Sequence, residues 1–201
     1  MQFKYIILEI LFIIFILSCH HKPKPKVFSS IELERISKEF KLPKEQSFML
    51  DTGYVHYLLS LDTSKYANEI QNHYQPIQAL YYDKAGNLIS FHINCYAGFG
   101  VKDGDQLNWN QLNVFSSFVP KTIVPLDTIL SLSKHLQFIK TFENKSIDTT
   151  GFSSFNYTVI IHWGKTWRPK DCINLFNIVN ENILLAKIEK VHVLYVNDDN
   201  N

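Results

Sequence analysis

Two cysteines in the folded part of the chain, Cys95 and Cys172, carry the most reactive chemistry the sequence offers. Cys172 follows Pro169-Lys170-Asp171, where an apolar pattern at helical spacing begins. A thiol in the first turn of a helix is acidified by the aligned N–H dipoles, which is what a nucleophile needs. No second cysteine lies one turn away, and Asp171 opposes a thiolate, so a small buried residue is the other reading. An exported chain can oxidise its thiols, but whether Cys95 and Cys172 meet depends on the fold. Beside Cys172 stand Trp163, Trp167, Arg168 and Lys170, an aromatic and cationic group of the kind that anchors protein interfaces. Eight histidines are scattered without the spacing of a metal site. His92 and His192, on strand-like runs, read as solvent-facing residues. Asp103 and Asp105 flank Gly104 but lack the ligand ladder of a calcium loop. No phosphate-cradling loop, dinucleotide fingerprint or nucleophile elbow is present. These residues point to no cofactor, no metal and no enzyme class.

The elements that must position these groups follow from periodicity. Tyr157 to Trp163 is a run for a buried strand. Ile173, Phe176, Val179, Ile183 and Leu184 mark a helix opened by Pro169. Val191 to Val196 is a second strand. Strand, helix, strand in so short a span predicts a parallel pair with a right-handed crossover. Upstream, Pro76 to Cys95 reads as a β-hairpin about Asp83-Lys-Ala-Gly-Asn87. Ser29 with Glu32 forms a capping box for a helix to Leu42. Tyr54 to Leu61 suits strand or helix equally. Asp62 or Ser64 caps a helix to Tyr74, and Asp127 caps one to about Phe142. Residues 96–121 read as a long loop. The expected class is therefore α/β: a mixed sheet with flanking helices, a C-terminal βαβ unit and a central hairpin.

The N-terminus has a different composition. Lys4 precedes an apolar run, Ile6 to Leu17, too short for a bilayer span and suited to a signal peptide. Ile16-Leu17-Ser18-Cys19 resembles a bacterial lipobox. That resemblance implies removal of residues 1–18 as a lipoprotein signal peptide and acylation of Cys19, a stable anchor when two or more chains are attached. Residues 19–28, with alternating Lys and Pro, read as an extended tether; residues 29–201 read as one domain. The expected location is the cell envelope, lipid-anchored in the periplasm or outer membrane. At 201 residues, 46% hydrophobic and a formal charge of +1, the chain can bury one core and lacks the basic excess of a nucleic-acid binder.

The βαβ unit and the hairpin each resemble part of the thioredoxin superfamily. His162-Trp163-Gly164 stands where that family ends its first core strand. Trp167, Arg168, Pro169 and Lys170 occupy the four positions of its redox motif, and both cysteines are absent there. The hairpin resembles that of periplasmic thioredoxin-like reductases, with Pro76 in the place of the proline that faces the redox motif. The order of the two fragments is reversed, as a circular permutation would make it. The resemblance implies a redox-inactive thioredoxin-like domain that binds an envelope protein or peptide with Trp163, Trp167, Arg168, Lys170 and Pro76. The alternative is a thiol-dependent oxidoreductase using Cys172, with Cys95 as a distant resolving thiol.

Overall fold

A computed structural model describes residues 27–102, 105–166 and 168–201; the expected signal peptide, Cys19, most of the expected tether, Asp103, Gly104 and Trp167 lie outside them. Six strands form one sheet in the order β3-β2-β5-β6-β1-β4. They are β1 (Ser47–Leu50), β2 (Gln78–Asp83), β3 (Leu88–Ile93), β4 (Ile139–Lys140), β5 (Tyr157–Trp163) and β6 (Val191–Asn197). β5 and β6 pair in parallel from Tyr157 opposite Val191 to Trp163 opposite Asn197. Between them runs α6 (Pro169–Leu184), with Pro169 in its first turn, where the missing N–H leaves no bond unmade. The β2–β3 hairpin lies antiparallel on the other side of β5, with Gln78 opposite His162. Its turn uses Gly86 at φ +83°, a conformation a side chain would strain.

Five shorter α-helices stand among the described residues: α1 (Ser30–Glu39), α2 (Gly53–Ser60), α3 (Thr63–His73), α4 (Asn94–Ala97) and α5 (Leu132–Leu136). The α1 capping box is formed: the Ser29 hydroxyl accepts from the Glu32 N–H, and the Glu32 carboxylate accepts from the Ser29 N–H at 2.9 Å. Asp62 caps α3 through the Ser64 N–H at 2.9 Å. The Tyr54 run, open between strand and helix in the sequence, is α2.

The helix expected from Asp127 to Phe142 does not form. Ser131 instead caps the five-residue α5, and Ile139 then pairs with Leu50 as edge strand β4. β1, which carries Leu50, has no counterpart in the sequence reading; its four residues are too few to show a period.

Strand alternation divides the interior into two cores. On one face Ala79, Tyr81, Val159, Ile161 and Trp163 pack with Leu33 and Ile36 of α1 and Leu175, Phe176 and Val179 of α6. On the other, Leu80, Tyr82 and Ile160 pack with Tyr54 and Leu58 of α2 and with Leu130. The 96–121 segment is bound down rather than free. Asn182 of α6 donates to the carbonyls of Phe115 at 3.0 Å and Ser117 at 2.8 Å, and Trp109 and Phe115 are buried against the first core.

Candidate functional site

The carboxyl ends of β5 and β6 open onto a cleft of about 250 Å³, lined by Tyr54, Val55, His73, Tyr74, Pro76, Thr166, Asp198, Asp199 and Asn201. In open sheets with helical crossovers, the strand ends are where ligands bind. The polar tail of the chain builds this end. The Asp198 N–H donates to the Trp163 carbonyl at 2.8 Å. The Asp199 carboxylate gathers the N–H groups of Lys165 at 2.8 Å and Thr166 at 2.9 Å, the Thr166 hydroxyl at 2.7 Å and the Asn197 amide at 2.8 Å. It thereby fixes the turn between β5 and α6. A Cβ on Gly164 would sit 3.0 Å from this carboxylate, so the turn needs glycine there.

Beneath the cleft lies a chain of buried polar side chains. His162 Nε2 and His135 Nε2 are 2.8 Å apart, and His135 Nδ1 lies 3.0 Å from the Tyr82 hydroxyl. The Gln78 amide nitrogen faces His162 Nδ1 at 3.3 Å and donates to the carbonyls of Gln75 and His73. Because Gln78 presents N–H, His162 Nδ1 accepts. Its Nε2–H then donates to His135, whose Nδ1–H donates to Tyr82. Each ring is neutral, since one more proton would set two N–H groups against each other. Burial pushes both histidines down, His162 to about 3; the His73 ring adds to this at both, and His162 adds to it at His135. His73 stands beside this chain. Its Nε2 bonds Asp127 at 2.9 Å, its carbonyl accepts from the Tyr54 hydroxyl at 3.0 Å, and its Nδ1 has no partner among the described residues. Burial also raises the Asp198 carboxyl, to about 7.

The sequence-predicted residues separate in space. Pro76 and Thr166 line the cleft. Trp163 does not: it points to the opposite face, fully buried, its ring 4.9 Å from Phe40 and 6.0 Å from Phe176. Alternation along β5 sends His162 one way and Trp163 the other, which removes Trp163 from any exposed binding surface. Arg168 is an N-cap residue with φ 48°. Its guanidinium is engaged by the Asp171 carboxylate and the Asp105 carbonyl. Asp171, itself buried, also accepts from the Leu107 N–H at 2.7 Å. Arg168 thus ties the start of α6 to the 105–107 segment, while Lys170 is exposed. Trp167 lies outside the described residues.

Cys172 is fully buried, its Sγ 3.4 Å from the Gly164 carbonyl. Burial pushes its thiol up to about 12, the reverse of what the helix N-terminus alone would do. Cys95 is exposed, and no disulfide joins the two. His92 is corrected: it is buried, 4.5 Å from the Phe115 ring centroid, and burial pushes it down to about 3. His192 is half-buried, 4.6 Å from both Phe152 and Phe155.

Sequence reasoning passed over His73, His135 and His162 as a group because 89 positions separate the first from the last and no spacing rule joins them. The one available signal was His162 itself, a titratable residue inside an otherwise apolar strand. Among the described residues no group of three or more His, Cys, Asp or Glu is arranged to hold a metal ion. Compared with protein-family models, curated proteins and solved structures, the chain has no significant match.

Proposed function

We propose that this chain is a lipid-anchored cell-envelope protein. Its thioredoxin-like domain carries no thiol chemistry and binds an extended protein or peptide segment in the cleft between Pro76 and Thr166. The lipobox and the Lys-Pro tether support the anchor. The fold reading is supported by the run β6-β5-β2-β3, a parallel pair joined by a helix with an antiparallel hairpin beside it. This is the arrangement a circularly permuted thioredoxin-like core implies.

One observation carries the functional reading. Pro76 and the turn that leads into α6 line the same cleft, while the only cysteine of that helix is sunk in the core with a thiol pushed up to about 12. The place where a thiolate would attack is therefore occupied by binding groups alone. A thiol-dependent oxidoreductase using Cys172 would need that sulfur exposed and ionised.

The test is a pair of assays on the full chain in phosphatidylcholine nanodiscs. Insulin-disulfide reduction is expected at background, and a peptide array is expected to give ligands whose affinity falls about tenfold or more in Thr166→Arg, which fills the cleft mouth. Reduction that disappears in Cys172→Ser, or peptide binding indifferent to Thr166→Arg, contradicts the reading. The anchor is checked separately: Cys19→Ala abolishes fatty-acid labelling, and unchanged labelling refutes it.

A further inference from the structure

The lining of the cleft is one-sided in charge and in hydrogen bonding. Among the described residues its ionisable groups are His73, Tyr54, Tyr74, Asp198 and Asp199, and no lysine or arginine lines it. Two polar atoms here lack partners among the described residues: His73 Nδ1 and Asp198 Oδ1, both shut off from solvent. His73 is wholly buried, and its Nε2 is taken by Asp127. Asp198 Oδ1 is an acceptor when ionised. Unsatisfied buried acceptors cost free energy unless a donor reaches them. Asp199 adds negative charge, though its oxygens already serve the turn. Tyr74, half exposed at the cleft, adds an aromatic ring beside which a cation can rest.

Resting on the cleft reading above, we propose that this cleft receives the cationic end of one lysine or arginine side chain of the bound segment. The Asp198 carboxylate accepts its N–H donors, and Tyr74 forms one wall. The size agrees: about 250 Å³ admits a single long side chain and falls short of the several hundred Å³ of a drug-sized ligand site. Burial without a counter-cation is what raises Asp198 to about 7, and the neighbouring Asp199 charge works the same way; Asn201 opposes them. A cation in the cleft supplies the partner that Asp198 Oδ1 lacks and draws Asp198 into its ionised form. Binding therefore strengthens as pH rises through that value.

Calorimetric titration of the full chain in phosphatidylcholine nanodiscs tests this with n-butylammonium and methylguanidinium, against n-butanol and butyrate as controls of equal reach. At least one cation is expected to bind, neither control is, and binding weakens on acidification below about pH 7. Asp198→Asn should lower cation affinity about tenfold or more. Thr166→Lys, a change at an exposed position that sets a cation at the rim, should abolish binding with the fold intact by circular dichroism. Equal binding of butanol and butylammonium, or full affinity in both variants, overturns the proposal. Array peptides that bind without any preference for Lys or Arg also overturn it, yet leave the peptide-binding reading standing. Cation binding with no peptide retained has the opposite meaning: the cation site holds and the peptide-binding reading fails.

Discussion

Residues 162 and 163 are neighbours on β5 and belong to two different materials. On the Trp163 face the sheet is aromatic: Phe40, Trp163, Phe176 and Tyr195 pack ring against ring between α1 and α6. On the His162 face, four polar side chains (Gln78, His162, His135 and Tyr82) are linked through a core of Leu, Ile, Val, Tyr and Phe, and Gln78 also donates to the His73 backbone carbonyl. Both faces are buried. An apolar core needs only area and shape. A buried polar chain must satisfy every member and is costly when one is missing. The first face stabilises the domain; the second ends beneath the cleft and fixes the positions of His73 and Tyr54.

The comparison can be broken from either side. Trp163→Ala is expected to have the largest effect, about 3–5 kcal/mol of stability by urea unfolding, because the ring is fully buried and nothing can collapse into its place. His162→Leu keeps the volume and removes the central link. It leaves Gln78 and His135 facing an apolar group, with an expected loss of about 1–3 kcal/mol. That loss should shrink in the double variant with His135→Leu, in which neither ring is left waiting for the other. If His162→Leu is neutral by itself, the polar face is ordinary packing and the contrast fails.

Acidity separates the faces further. His92, His135 and His162 have folded values pushed below that of the unfolded chain by burial. Between the two values the unfolded state binds more protons, so stability is present above the ordinary histidine range and is lost as pH falls below it toward about 3. Asp198 has the opposite sign. Its folded value, about 7, exceeds the unfolded one, so its contribution is full below the ordinary aspartate range and is lost as pH rises through about 7. Asp198→Asn should therefore remove a loss that runs from the ordinary aspartate range up to about 7, and so steepen the net rise of stability with pH across the window in which the histidines titrate; denaturant midpoints measured across pH check this. The smallest effect on stability belongs to the thiols. Cys95 should react with a disulfide reagent in the native state and Cys172 only on unfolding, and alanine at Cys95 should change stability by no more than about 0.5 kcal/mol.

Much of the architecture could be read from residues. The β5–α6–β6 unit is announced by its periods and by Pro169, and the β2–β3 hairpin by Asp83 and Gly86. These are local signals. The region from Asp127 to Lys140 misled because Asp127 does not cap a helix: its carboxylate serves the His73 ring and the Ile129 N–H, and Ile139 answers to β1, some 90 residues upstream. Of the site, Pro76 was found and the turn after Trp163 was found. The polar lining of the cleft was not. His73 and Asp198 look like a helix-end histidine and a chain-end polar tail until the fold brings them together, and Trp163 looked like surface because only the strand register shows which face it takes.

The central claim, that the strand-end cleft is a binding site without thiol chemistry, is tested most directly by chemical-shift mapping. The ¹⁵N-labelled full chain in nanodiscs is titrated with the strongest array peptide. The account predicts that the largest shifts fall on Val55, Tyr74, Thr166, Asp199 and Asn201, and that the Cys172→Ser protein gives the same map and the same affinity. Shifts concentrated on the exposed side of α6, or a response lost with the Cys172 sulfur, would contradict it.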